Sequence, residues 1–192
     1  VKRQRLVYMG SIEKTKGIQL LIEAMPDLLR INKKVELHVF GSGPFEKEMK
    51  GLVAESPARK AIFIRGGLAH DKLFAELPRY GIALATYLEK PGSITYWADA
   101  PKPKEYLACG LPLIITKVPW IWEKVSDPRK PMGAAISYNR EELVEACRKL
   151  LGNGPYYWRC RKNALAFAST LDWGRIYDKA FADLGLTLDS DI

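Results

Sequence analysis

The sequence is poor in the residues that build metal clusters and disulfide frameworks. Among 192 residues there are three cysteines and two histidines. Cys109, Cys147 and Cys160 follow no metal-ligand spacing and leave one thiol over in any pairing. Reduced thiols in a cytoplasmic setting are the simplest reading. His38 lies inside the apolar run VELHVF and reads as a strand position without a catalytic task. No apolar run approaches the roughly 18 residues a membrane-spanning helix requires. The opening VKRQRLVYMG is basic but passes straight into a strand-like run, without the long apolar stretch of a secretory signal. Like charges form no long block, so the usual signature of a nucleic-acid-binding tail is missing, and no nucleic-acid motif is present. Two phosphate-binding fingerprints are missing as well: neither the P-loop spacing nor G-x-G-x-x-G occurs.

What the chain does hold is an ordinary globular balance, 47% apolar and 27% charged, with a net charge of +8. The length suits one domain over residues 1–192 with a sizeable core. The positive excess suits anionic partners, from phosphorylated small molecules to peripheral contact with an acidic inner membrane face.

Continuous apolar runs alternate with helical patterns. RLVYMG, KVELHVFGSG, KAIFIRGG, GIALATYL, LPLIITKV and GAAISY read as strands. Between them, GIQLLIEAMPDLLRI places apolar residues at helical spacing, with a distortion expected at Pro26. PFEKEMKGLVAE reads as a helix with Pro44 in its first turn, and HDKLFAELPRY as a short one. KEYLACG is a further helix, and NREELVEACRKLLGN is one capped by Asn139. Two helical pieces, Pro155 to Ala168 and Asp172 to Leu184, close the chain. Strands that are apolar throughout and alternate with helices predict a doubly wound, mainly parallel α/β sheet covered on both faces.

In such a sheet, ligands sit beyond the carboxyl ends of the strands, near the point where the strand order reverses. GSIEKTKG, Gly10 to Gly17, offers a strand-ending glycine, the Ser11 hydroxyl, two lysines and a helix start. Those groups suit phosphate oxygens, and equally describe a plain strand-to-helix loop. The glycines of GSGP read as chain-turning. In PKPKEY, a helix beginning near Lys102 puts Glu105 in its first turn, where a carboxylate complements the dipole. The sharper alternative has Glu105 accept from a pair of sugar hydroxyls while Lys102, one turn earlier, faces a phosphate.

VYMGSIEKTKGIQLLIEAM, VELHVFGSGP and KPKEYLACGLPLIIT occur in that order. They resemble the successive motifs of the C-terminal domain of GT-B-fold glycosyltransferases. The likeness is to the large retaining, metal-independent family whose members assemble lipid-linked and polysaccharide glycans. It covers Arg5 to about Leu184, and K-x-x-E-Y-x-A-x-G-x-P is its most specific motif. It implies a Rossmann-like half of a GT-B fold that binds a nucleoside-diphosphate sugar without a metal. Glu105 matches the glutamate that holds the ribose hydroxyls, Lys16 the lysine on the diphosphate, and Gly10 the glycine whose loop approaches it. Gly67 and Leu68 match the region against the nucleobase. The helix around Trp173 matches one that crosses to the other domain.

The sequence also departs from that pattern. The earlier glutamate of E-x7-E, which touches the donor sugar, falls on Trp97, with Asp99 the nearby stand-in. The arginine that commonly follows the first glycine is Ser11, so the diphosphate would rest on Lys16, Lys102 and backbone amides. An N-terminal acceptor-binding domain is expected from elsewhere, in the same protein or a partner chain, and the isolated domain is expected to be inactive. The competing readings are a non-catalytic nucleotide-sugar-binding module and a fragment of a GT-B epimerase. Sugar specificity is assigned to the loop from Tyr87 to Pro101.

Overall fold

Alternation of apolar strands and amphipathic helices sets the architecture. The structure, a computed structural model, describes residues 2–90, 96–97 and 99–183. In chain order its elements are β1 (Arg5–Met9), α1 (Ile18–Ile31), β2 (Glu36–Phe40), α2 (Glu46–Glu55), β3 (Ile62–Gly66), α3 (His70–Glu76) and β4 (Ile82–Ala85). They continue with α4 (Pro101–Ala108), β5 (Leu113–Thr116), α5 (Trp122–Val125), β6 (Gly133–Ile136), α6 (Arg140–Gly152), α7 (Gly154–Ala168) and α8 (Trp173–Asp183). The six strands form one sheet in the order β3-β2-β1-β4-β5-β6, every pairing parallel. The order reverses between β1 and β4, so the switch point lies where Met9 and Ala85 end their strands.

Side chains alternate across each strand, and the core divides accordingly. Leu6 and Tyr8 of β1 join Leu21, Met25 and Leu28 of α1, Met49 of α2, and Leu143, Cys147 and Leu150 of α6 on one face. Val7 and Met9 join Leu77, Tyr80, Tyr106 and Leu107 of α4, and Val125 of α5 on the other. Full burial of an aliphatic side chain of this kind stabilises by about 1.5–3 kcal/mol. Helix α7 bridges the two faces at the amino ends of the strands. Its Tyr157 and Cys160 lie in the first cluster and Ala164 in the second. There the Tyr156 hydroxyl donates to Gly133 O at 3.0 Å and the Arg161 guanidinium to Gly110 O at 2.8 Å. All three cysteines are buried free thiols. Among the described residues no helix is long and apolar enough to cross a membrane.

Helix α1 spans Ile18–Ile31 with Pro26 inside it, and the proline forfeits the bond to the Ile22 carbonyl without ending the helix. Some other local expectations need correction. Pro44 sits in the turn ahead of α2, one residue before the cap Phe45. Helix α4 starts at Pro101, within one residue of the expected start near Lys102 and ahead of the KEYLACG run, which puts Glu105 at the fifth position, just past the first turn. Helix α5, a single turn, has no counterpart in the sequence reading. Asn139 does cap α6, its side chain accepting from Glu142 N. Leu184, the expected end of the last helix, lies outside the described residues, as does the middle of the loop assigned to sugar specificity.

Candidate functional site

The carboxyl ends of β1 and β4 open onto two loops that are stitched together. Leu88 N donates to Thr15 O at 3.0 Å, and the Thr86 hydroxyl donates to Gly17 O at 3.1 Å. Tyr87 is clamped by Thr116 at the end of β5, whose hydroxyl accepts from Tyr87 N at 2.8 Å and donates to Tyr87 O at 2.9 Å. From the other side, Tyr106 of α4 anchors β1: its hydroxyl accepts from Met9 N at 2.6 Å in the buried core. The tyrosine of the K-x-x-E-Y motif therefore holds α4 against the strand that feeds the first loop.

These ties bring the candidate cations together. The Lys102 amine lies 4.4 Å from the Tyr8 ring centre and 5.4 Å from that of Tyr87, and the Lys16 amine lies 5.8 Å from the same Tyr87 ring. All three contacts use the negative face of an aromatic ring. Gly10 makes room for Lys102. With φ at +133° it adopts backbone that side chains disfavour, and a Cβ there would lie 2.6 Å from Lys102 Nζ. Burial, with the like charge of Lys16 second, pushes the Lys102 ammonium down to about 7, against the opposing pull of Glu105 and Glu13. A cation in the first turn of α4 also opposes the helix dipole, so an anion at this rim would relieve both penalties.

Glu105 stands one turn along α4 from Lys102 with 28% of its side chain exposed, open to the rim. Its Oε1 accepts from His70 Nε2 at 3.3 Å. His70 begins α3, two residues past Leu68, so the segment after β3 reaches across to α4. Gly67 and Leu68 are both exposed there. Leu68 lines a groove of about 430 Å³ with Phe40, Tyr80, Arg65 and Lys72. The positive-φ glycine of that turn is Gly66. Ser11 is exposed and donates through its hydroxyl to Glu13 at 2.6 Å. That bond is the largest influence holding the Glu13 carboxyl below its usual range.

The rim thus gathers Gly10, Ser11, Lys16, Lys102 and Glu105, with Gly67 and Leu68 alongside through His70. Trp97 is 86% exposed. Asp99 pairs with Lys104 and accepts from Trp120 Nε1 at 3.1 Å, which commits its carboxylate to groups outside the rim set. His38 is buried at the floor of the groove that Leu68 lines, between Glu36, at 3.0 Å from Nε2, and Arg65, whose Nε donates to Nδ1 at 3.2 Å.

Tyr8, Glu13 and His70 were missed from sequence, whereas Tyr87 was named only as the start of the loop assigned to sugar specificity. Of the three missed, Glu13 alone left a signal, its Ser-x-Glu-x-Thr spacing placing two hydroxyls beside one carboxylate. The same spacing also occurs in ordinary turns. Among the described residues no group of three His, Cys, Asp or Glu side chains is placed to hold a metal ion.

A six-stranded parallel sheet wound on both faces, with paired lysines and a carboxylate at its switch point, makes this a Rossmann-like domain. The family model for glycosyl transferases group 1 matches residues 1–167, and the chain belongs to that family. Comparison with curated protein sequences finds no match.

Solved structures share the fold. The pneumococcal O-GlcNAc transferase GtfA, crystallised with UDP and GlcNAc, is 17% identical with a TM-score of 0.73 over 96% of this chain and 36% of its own. WaaG, a glycosyltransferase involved in lipopolysaccharide biosynthesis, is 25% identical with a TM-score of 0.69 over 96% of this chain and 47% of its own. The C-terminal domain of LpcC, a group 1 family glycosyltransferase from Francisella tularensis, is 17% identical with a TM-score of 0.68. There the match covers 86% of this chain and 84% of the domain. The chain therefore spans between a third and a half of GtfA and WaaG, and most of the isolated LpcC domain.

Proposed function

We propose that this chain is the donor-binding domain of a retaining, metal-independent glycosyltransferase that uses a nucleoside-diphosphate sugar. The observation that carries the proposal is the convergence of Lys16, Lys102 and Glu105 at the switch point. Two amines flank Tyr87, and a two-oxygen acceptor stands one helical turn beyond. That spacing suits a diphosphate followed by a ribose diol. Family membership supports the activity, and the UDP bound to GtfA is the kind of ligand in question.

In this scheme Lys16, Lys102 and the amides of the Gly10 loop stabilise the departing diphosphate, and no metal is needed. Retention follows if the acceptor attacks on the leaving-group side, where the same cations draw out the charge. Gly67 and Leu68 lie against the base. The acceptor, a lipid-linked or polysaccharide glycan, is bound by a second domain in the same protein or in a partner chain. A cytoplasmic location with contact at an acidic membrane face fits the +8 charge.

Titration calorimetry with UDP, GDP and their sugar conjugates tests the assignment. Binding in the presence of EDTA, with affinity reduced about tenfold or more by Glu105→Ala, is the expected result. Unchanged affinity in that variant would remove Glu105 from the site. A second reading, a binding module without transferase chemistry, is favoured by Trp97 at the place of the sugar-contacting glutamate and by the engagement of Asp99 with Lys104. Transfer by the complete two-domain enzyme would exclude it.

A further inference from the structure

We propose that His70 is a positioning residue for Glu105, and that the pair selects ribonucleotide over 2′-deoxyribonucleotide donors. The inference rests on the donor-domain assignment above and adds a residue and a selectivity to it.

A carboxylate offers about four acceptor sites on two oxygens, and a ribose diol needs two of them at a fixed spacing. On the second turn of α4 an unrestrained Glu105 would rotate about its last bond and present that spacing only part of the time. The His70 Nε2, 3.3 Å from Oε1, occupies one lone pair and restrains that rotation, leaving Oε2 and the second site of Oε1 for a diol. The imidazole is itself backed: its ring packs on Phe74, one turn further along α3, with centroids 4.6 Å apart. Phe74 in turn rests against the second core cluster.

The contact is not explained by stability. His70 is 74% exposed, and an ion pair or hydrogen bond so open to solvent contributes little to folding. Its geometry does explain how the segment after β3, carrying Gly67 and Leu68, is registered against the helix carrying Glu105. A base against the first and a ribose on the second would then be read as one unit. The Glu105 carboxylate in turn supports the Lys102 ammonium against burial and helps keep the Tyr87 phenol protonated, so the same carboxylate borders both groups.

The test is calorimetry of the full 192-residue chain with UDP and GDP against their 2′-deoxy counterparts. The unsubstituted protein is expected to favour the better ribonucleotide by about tenfold over its deoxy analogue, and Glu105→Ala to abolish that ratio. His70→Ala is expected to weaken the ribonucleotide about fivefold while leaving the deoxynucleotide within about twofold, so the ratio collapses. His70→Gln, whose Nε2 lies the same number of bonds from Cβ, is expected to restore it. A wild-type ratio in His70→Ala, an equal loss for both nucleotides, or no rescue by Gln overturns the role of His70 while Glu105 keeps its own. A ratio untouched by Glu105→Ala, or no nucleotide binding at all, overturns the donor assignment and this inference with it. Thermal melting of each variant separates local loss from unfolding.

Discussion

Lys102 is a cation that the fold alone does not favour. Its amine is folded over Tyr8 and Tyr87, beside Lys16, and holds its proton only up to about pH 7 against an ordinary value of 10.5. Between those two values the unfolded chain carries the proton and the folded chain does not. Stability therefore rises with pH across that window, and the burden of Lys102 is greatest below pH 7. Lys102→Met is expected to raise the melting temperature at pH 6, with the gain shrinking toward pH 10. The same variant is expected to lose nucleoside-diphosphate affinity. In the unsubstituted chain that affinity should rise about fivefold from pH 8 to pH 6.5 as the amine takes up its proton. A flat pH profile in calorimetry would dissociate Lys102 from the diphosphate. At this scale the sequence was informative about charged groups that lie in motifs, Lys16, Lys102 and Glu105. It marked Tyr87 only as the start of a loop and was silent on the role of His70, because their contacts span segments far apart in the chain and leave no local pattern.

The elements around the rim are held by a few specific ties, and each can be cut. Tyr106→Phe leaves the buried Met9 N–H without its 2.6 Å acceptor, a loss of about 1–3 kcal/mol in denaturant unfolding. Because that bond joins α4 to β1, nucleotide affinity should fall as well. Gly41 ends β2 with φ at +136°, and a Cβ there would sit 1.9 Å from Gly10 O. Gly41→Ala is expected to cost about 2 kcal/mol or more and to displace the Gly10 loop, measured as weakened binding and a lowered melting temperature. The glycines of GSGP, read from sequence as simple turn residues, are thus packed against the neighbouring phosphate-loop candidate. Strands were legible because they are apolar throughout, and α6 because Asn139 announces it. Helix α5, one turn between proline-rich segments, has too few residues to show a period. The start of α4 was legible to within a residue of Lys102; Pro101, read as the end of the preceding loop, is its first residue, a position that suits proline.

For the molecule as a whole, the doubly wound class followed from alternation. The order β3-β2-β1-β4-β5-β6 did not, since pairing depends on contacts between distant segments. The rim lies at one end of the sheet, while α7 closes the amino ends at the other. If the acceptor binds to a second domain over the rim, this chain alone should bind a sugar nucleotide without transferring the sugar, as checked by radiolabelled transfer assays. Turnover by the 192 residues alone would contradict that division of labour.

The sheltered thiols have a use beyond packing. Burial lifts Cys109 to about 11 and Cys147 to about 12, and raises Cys160 as well, so almost no reactive thiolate exists while the chain is closed. An alkylating reagent must then wait for each helix to lift away, and its labelling rate becomes a clock for three separate parts of the molecule. Cys109 caps α4, the helix that carries Lys102 and Glu105, whereas Cys147 and Cys160 belong to α6 and α7. A bound nucleotide should slow the first clock and leave the other two running at their own pace.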